Sequence, residues 1–330
     1  MLRLPRFDFL TPVTLSEAVA LLAEPNAMAV AGGTDVYPKM KRRQFTPSTL
    51  VSLRRVVDAD IRNGTNARIG AGATLTAVAE HPMIRERYAA LADAAALIST
   101  PQLRNMGTIG GNLCLDTRCN WYDQSLFWRT AEGYCMKTHA EVVCRVAPSS
   151  PRCLAVASAD TVPALIALAA TVTIAGAAGT RQVDLAEIYR EDGINYLTLA
   201  RGEIVTEIRL PPADGWRSTY VKLRDRRAFD FPIAGVAAAV RFEGRVVAAA
   251  RLAITALGSS PRRIDGAGEA LVGTGLEDDA IDRAGNAVFA AARPMDNTSG
   301  TIAERKRASR VLAVRALRSL RPAGDRSGFA

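Results

Sequence analysis

At 330 residues the chain is too long for one small core and suits two packed domains. A hydrophobic fraction of 48% beside 23% charged residues excludes disorder and fibrous repeats, and no run of about 18 apolar residues is present to span a membrane. The formal charge of +9 invites a nucleic-acid partner, but residues 301–330 hold eight Lys or Arg against Glu304 and Asp325, so most of the excess is a local tail, and no RNA-binding aromatic signature or helix-turn-helix pattern accompanies it.

The opening MLRLPRFDFLTPVT places Pro5, Asp8 and Pro12 where a signal peptide needs an apolar run, which predicts a cytoplasmic protein. In that reducing compartment the five cysteines are expected to stay as thiols or bind metal rather than pair. TLSEAVALLAE reads as a helix, with Thr14 and Glu17 spaced as a capping box and Ala18, Leu21 and Leu22 forming its apolar stripe. A short strand, Met28 to Ala31, then runs into GGTD, and residues 50–56 and 67–73 read as further strands with glycine turns between them.

A helical stretch from Tyr88 to Ile98 precedes ISTPQLRNMGTIGGNL. From Leu115 to Pro151 the chain has tryptophans, tyrosines and cysteines but no sustained period, so its order must come from something other than an amphipathic pattern, such as a metal. Helix then strand character returns in LAVASADTVPALIALAATVTIAG, and EIVTEIRLP ends at Pro211 and Pro212. The boundary is placed there, giving domains 1–214, with an insertion at about 115–156, and 215–330. The second domain begins as a β meander (STYVKLRDRRAF, FPIAGVAAAVRFEG, RVVAAARLAITALGSSP) and ends in helices from about 276 to 321. The whole is α+β. In the last helix Val311, Leu312, Val314 and Leu317 recur near helical spacing among Arg307, Arg310, Arg315 and Arg318, which reads as a solvated face or a dock for an acidic subunit.

Two glycine loops carry a physical signal. In Ala31-Gly32-Gly33-Thr34-Asp35, glycines just beyond an apolar strand can turn successive backbone N–H groups toward one point, and Thr34 adds a hydroxyl. Thr108-Ile109-Gly110-Gly111-Asn112 repeats the device, so the two loops suit a pyrophosphate held between them. Each alone is also explained by a tight turn, and neither is a Rossmann fingerprint or a phosphate loop.

The blocks AGGTD near residue 31, IGAGAT at 69–74 and RNMGTIGGNL at 104–113 resemble, in order and spacing, the FAD-binding subunits of molybdenum hydroxylases. The likeness continues through SADTVPALIAL at 158–168 and YVKLRDR at 220–226. It implies an FAD-binding domain of two α/β subdomains followed by a C-terminal domain of antiparallel sheet and helices. By the same resemblance the backbone of Ala29, Val30, Ala31, Gly32, Gly33, Thr34, Asp35 and Val36, and that of Thr108, Ile109, Gly110, Gly111 and Asn112, grip the FAD pyrophosphate. Thr74 and Asp116 join the FAD contacts, Asp160 bonds the ADP-ribose part, and Lys222 lies near the flavin ring or its phosphate side. Read from the residues alone, Asp160 is equally an N-cap of VPALIALAA, and Lys222 is equally a solvated strand charge.

Cys119, Cys135, Cys144 and Cys153, with fifteen, eight and eight residues between them, could bind a 4Fe-4S cluster or zinc, lie inert, or serve as redox thiols. No C-x-x-C knuckle or ferredoxin spacing decides among these. Cys114 and His81 read as structural, and His139 as a loop residue. The insertion is similar, however, to that of the 4-hydroxybenzoyl-CoA reductase beta subunits, in CLDTRCNWYDQ, YCMK and SSPRCLAV. That resemblance implies all four as ligands of a 4Fe-4S cluster. It further implies a subunit without substrate chemistry of its own, passing electrons from reduced ferredoxin through 4Fe-4S and FAD to partners. Those partners are a 2Fe-2S gamma-type subunit and a molybdopterin alpha-type subunit, in a heterohexamer that reductively removes a phenolic hydroxyl. The rivals are a flavin subunit of a purine, nicotinate or CO hydroxylase, a zinc-stapled assembly subunit, and a free-standing flavin enzyme.

Overall fold

A computed structural model describes residues 3–322. Strands β1 (Asp8–Leu10), β2 (Ala27–Val30) and β3 (Thr49–Ser52) form a parallel sheet in the order β1-β3-β2, with helices α1 (Leu15–Ala23) and α2 (Val36–Lys41) in the connections. Parallel neighbours need such crossovers. Helix α1 starts where Thr14 accepts the Glu17 N–H at 3.1 Å, while Glu17 reaches back to the amide of Val13 at 2.8 Å, one residue ahead of the cap. Strand β3 is shorter than the 50–56 expected from sequence, because the Leu53 amide bonds to Val30 and the chain then turns.

A second sheet has the order β4-β5-β8-β6-β7, from β4 (Ile61–Arg62), β5 (Ala67–Gly70), β6 (Thr171–Gly176), β7 (Gly179–Asp184) and β8 (Ile204–Leu210), all antiparallel pairs. Short helices α3 (Leu75–Glu80), α4 (Pro82–Arg87), α5 (Ala89–Ala96), α6 (Pro101–Arg104) and α7 (Ile109–Leu113) follow β5, with α8 (Leu126–Ala131) and α9 (Thr161–Ala167) before β6. Ile69, Val172, Ile174 and Ile208 of the sheet share one core with Ile84, Leu91 and Leu165 of the helices.

The remaining chain forms an antiparallel sheet in the order β12-β11-β10-β9, from β9 (Trp216–Leu223), β10 (Ala234–Glu243), β11 (Val246–Thr255) and β12 (Arg262–Arg263). Helices α10 (Asp265–Glu269), α11 (Asp278–Ala291) and α12 (Ile302–Ser319) cover one face. Side chains alternate along β10, so Val236, Ala238 and Val240 enter the core under α11 and α12, while Ala237 and Ala239 enter the core of the N-terminal half, against α9. Alanines on the second face let that helix approach closely, and the two halves therefore share a buried seam.

On α12, Leu312 and Leu317 are buried and Arg305 is fully enclosed, its guanidinium serving the carbonyls of Ile233, Met295 and Ala256. Arg310 pairs with Asp282 and Arg318 with Asp278, both on α11, and Arg307, Arg315 and Arg318 are exposed. The end of the basic tail, residues 323–330 with Asp325, lies outside the described residues. Among the described residues no helix is long and apolar enough to cross a membrane.

Candidate functional site

The three motif blocks interlock through backbone. A Cβ on Gly32 would stand 1.8 Å from the carbonyl oxygen of Met106, and one on Gly110 would meet Ala71 at 2.8 Å, so at both positions only hydrogen fits. The third block is stitched to the second by Gly110 N–H to Ala71 O, Ile109 N–H to Ala73 O and Leu75 N–H to Gly107 O, each 2.9 Å. Gly33 turns with φ +72°, a left-handed conformation that suits glycine, and Tyr37 occupies the space a side chain would take.

The two loops spend their amides differently. Gly111 N–H donates to Thr108 Oγ1 at 3.1 Å and Asn112 N–H to Thr108 O at 2.9 Å, so with Gly110 already paired the second loop is internally satisfied. In the first loop, the amides of Gly32, Gly33 and Thr34 have no protein acceptor among the described residues. Unpaired N–H groups at a cleft are what an anion requires. The expected pair of equivalent nests thus becomes one open nest and one closed wall.

Together the blocks surround a cleft of about 650 Å³, well inside the range of small-molecule sites. Of the residues expected at FAD, Ala29, Ala31, Gly32, Gly33, Thr34, Asp35 and Val36 line it from the first loop. Thr74, Thr108, Gly110, Gly111, Asn112 and Asp116 line it from the others. Val30 and Ile109 do not: they point into the cores at 3% and 0% exposure. Thr74 and Thr108 also cap α3 and α7. The side-chain carbonyl of Asn112 is turned away to cap α9, accepting the Thr161 N–H at 3.2 Å and its hydroxyl at 2.6 Å.

Asp160 and Lys222 lie outside the cleft lining and bind each other. Their charged groups are 3.0 Å apart, Tyr220 donates to the other Asp160 oxygen at 2.6 Å, and both side chains are under 5% exposed. Asp160 occupies the N-cap position of α9 as expected but makes no side-chain cap bond, which Asn112 supplies instead, and the solvated reading of Lys222 fails on burial. Burial pushes the Asp160 carboxyl above its usual range, against the pull of Lys222, and holds Lys222 below the ordinary lysine value. Lys222 also donates to Leu97 O at 3.2 Å, so the pair ties β9 to the ends of α5 and α9.

The insertion closes on itself through reciprocal backbone bonds between Arg118 and Val156, at 2.8 and 2.7 Å. Buried Arg129 on α8 donates to the carbonyls of Arg42 and Arg43 at the end of α2, and Asn297 holds Leu154 O at 2.6 Å, which pins the insertion to both halves. Within it Cys119, Cys135, Cys144 and Cys153 are each 5–7% exposed and line one small chamber. Trp121 and Tyr122 amides face the Cys119 thiol, and the Ala155 amide lies 3.5 Å from Cys153 Sγ. Burial pushes the Cys119 thiol up to about 12 and raises Cys153 as well. Among the described residues no three His, Cys, Asp or Glu side chains gather as ligands of one metal ion. His139 stacks on Tyr134 at 3.8 Å and does not line the chamber, and Cys114 lines the glycine-loop cleft instead.

Sequence reasoning missed five groups at these sites. Arg54 and Tyr196 line the cleft, as does Phe231, which the C-terminal half contributes beneath the Arg118 guanidinium at 4.0 Å. Lys39 is fully buried behind the first loop. Only Lys137, two residues after Cys135, carried a positional hint, and it too was passed over.

Residues 5–213 match the family described as the FAD binding domain in molybdopterin dehydrogenase, and residues 219–320 match the CO dehydrogenase flavoprotein C-terminal domain. The chain belongs to the FAD-binding subunits of the molybdenum hydroxylase family. As such it is an oxidoreductase subunit, and the fold class read from sequence is borne out. The carbon monoxide dehydrogenase medium chain of Hydrogenophaga pseudoflava is 30% identical over 306 residues, 90% of this chain and 90% of that one. The aldehyde oxidoreductase FAD-binding subunit of Escherichia coli K12 is 31% identical over 258 residues, 74% of this chain and 78% of that one. Reconstituted CO dehydrogenase from Oligotropha carboxidovorans superposes with a TM-score of 0.79 at 27% identity, covering 96% of this chain and 98% of that chain. The open amide nest of Gly32 to Thr34, beside a cleft of matching size, fits the FAD of this family.

Proposed function

We propose that this flavin subunit also carries a 4Fe-4S cluster, and that it serves a ferredoxin-dependent 4-hydroxybenzoyl-CoA reductase. The observation that carries the reading is the chamber: four buried, unpaired cysteines from one insertion line a single cavity. The four thiolates of a 4Fe-4S cluster each bind a different iron, so they stand wider apart than the ligands of one tetrahedral zinc. Four thiols lining one chamber supply the full ligand set that a 4Fe-4S cluster takes.

In this reading Cys119, Cys135, Cys144 and Cys153 hold the cluster, and the free amides of Gly32, Gly33 and Thr34 hold the FAD pyrophosphate. Asp35, Asp116 and Phe231 shape the cleft around the rest of the cofactor. The cluster supplies one-electron chemistry and FAD the exchange of one or two electrons. The chain's own part is to place both and to keep water from the chamber. Partner subunits with 2Fe-2S centres and molybdopterin would use two electrons and two protons to replace the phenolic hydroxyl by hydrogen, releasing water.

The test is iron, acid-labile sulfide and flavin content of the anaerobically purified chain, followed by an assay of the assembled complex with 4-hydroxybenzoyl-CoA and reduced ferredoxin. About four irons and one FAD per chain, with turnover, is the expected result. FAD without iron leaves an ordinary hydroxylase flavin subunit, and zinc in place of iron overturns the cluster.

A further inference from the structure

Three charged side chains fill the wall between the flavin cleft and the cysteine chamber, and all three are buried. Lys39, on α2 just past the open glycine loop, is fully enclosed and sets its Nζ 2.6 Å from Asp116 Oδ2. The other carboxylate oxygen of Asp116 lies 2.7 Å from Nζ of Lys137, whose side chain is 6% exposed. Asp116 lines the cleft, whereas Lys137 lines the chamber. Both ammonium groups stand over the ring of Tyr122, at 4.6 and 4.7 Å, and that ring lines the chamber as well. Lys137 also donates to the carbonyl of Gly193, a residue packed so tightly on Cys153 that a Cβ there would lie 2.7 Å from its sulfur.

Burying three ions costs several kcal/mol each before their attraction is counted, and an apolar set of the same volume would often be as stable. Support of the fold therefore does not explain the arrangement. Its polarity does: the cationic end faces four sulfurs that become anionic when they bind iron, and the carboxylate end faces the cleft. Away from water a charge acts over longer range than at a surface. Arg145 also lines the chamber but is exposed, so Lys137 is its buried cation.

Resting on the flavin-plus-cluster reading above, we propose that Lys137 and Asp116 form an electrostatic bridge that sets the redox potentials of both centres together. Lys137 stabilises the electron-rich state of a cluster held by the four cysteines, and Asp116, in contact with Lys137 and with the cleft, opposes reduction on both sides. They act as positioning and tuning groups, with Lys39 holding Asp116 in place. The bridge makes two predictions of opposite sign. Lys137→Met removes a positive charge, so the cluster potential moves negative, and by more than the flavin potential. Asp116→Asn removes a negative charge, so both potentials move positive.

The experiment is a redox titration of the full chain as isolated, unaltered and in both variants, with EPR for the cluster, visible absorbance for the flavin, and iron and FAD counts on each sample. Shifts of these signs support the bridge. Unmoved potentials in variants that retain both centres overturn it, because a merely structural role changes content and melting temperature without changing potential. If Lys137→Met loses its iron, Asp116→Asn decides alone, since it leaves every cysteine and Lys137 in place. Loss of iron from both variants with FAD retained also overturns the bridge and leaves a scaffold. An unaltered chain with FAD but no iron is recognisable at once, and removes the cluster reading on which the bridge rests.

Discussion

Gly32 and Met106 touch backbone to backbone, with no room for a methyl group between the first glycine loop and the carbonyl oxygen of Met106. Two segments more than seventy residues apart are thereby locked around one cleft. Gly32→Ala forces them apart. Overpacking of this kind costs about 1–3 kcal/mol. The expected outcome is a lower melting temperature together with a reduced FAD-to-protein absorbance ratio. Gly111→Ala, where the nearest atom is the Thr108 hydroxyl at 3.1 Å, is the milder control.

The insertion is not a detachable module. Asp116 at its base pairs with Lys39 behind the first loop, and Arg118 pairs with Asp35 of that loop. If the proposed cluster is present, Cys135→Ser should abolish bound iron, and because the insertion is tied to the first loop it should also weaken FAD retention, read as faster flavin loss on gel filtration. Full FAD retention without iron would mean that the chamber and the cleft fold independently.

Lys222→Met leaves the Asp160 carboxylate buried without its cation, and breaking one side of such a pair costs about 3–5 kcal/mol. Adding Asp160→Asn should recover much of that loss, which urea melts of the single and double variants will read. A drop in FAD affinity with unchanged stability would instead put the pair in the flavin site.

Asp116 gives a pH dependence of definite sign. Burial pushes its carboxyl up, but Lys137 and Lys39 outweigh burial and hold it below the usual range. A carboxyl with a folded value below its unfolded one adds stability that is present above the unfolded value, about 3.9, and disappears as pH falls through the folded value. The urea midpoint of the unaltered chain should therefore fall from about pH 5 toward about pH 3 more steeply than that of Asp116→Asn. Equal slopes would remove Asp116 from the acid response.

Local chemistry was legible wherever a residue acts on its own neighbours. Thr14 and Glu17 announced α1, and FPIAGVAAAVRFEG, read as part of a β meander, contains β10. The glycine blocks and the four cysteines marked the two cavities by residue type alone. Where partners come from far along the chain, the reading failed. Asp160 looked like an N-cap because it precedes a helix, yet Asn112, 48 residues upstream of it, supplies that bond.

The amino-acid sequence by itself determined the α+β class, the motif family and the positions of the cysteines, because periodicity, glycine and thiol chemistry act within a few residues. Only the tertiary structure decided which glycine loop keeps its amides free, that Lys222 closes on Asp160, and that Lys39, Asp116 and Lys137 stand between the cleft and the chamber. Each of those depends on which distant group removes a charge or an amide from water, and no local pattern encodes that choice.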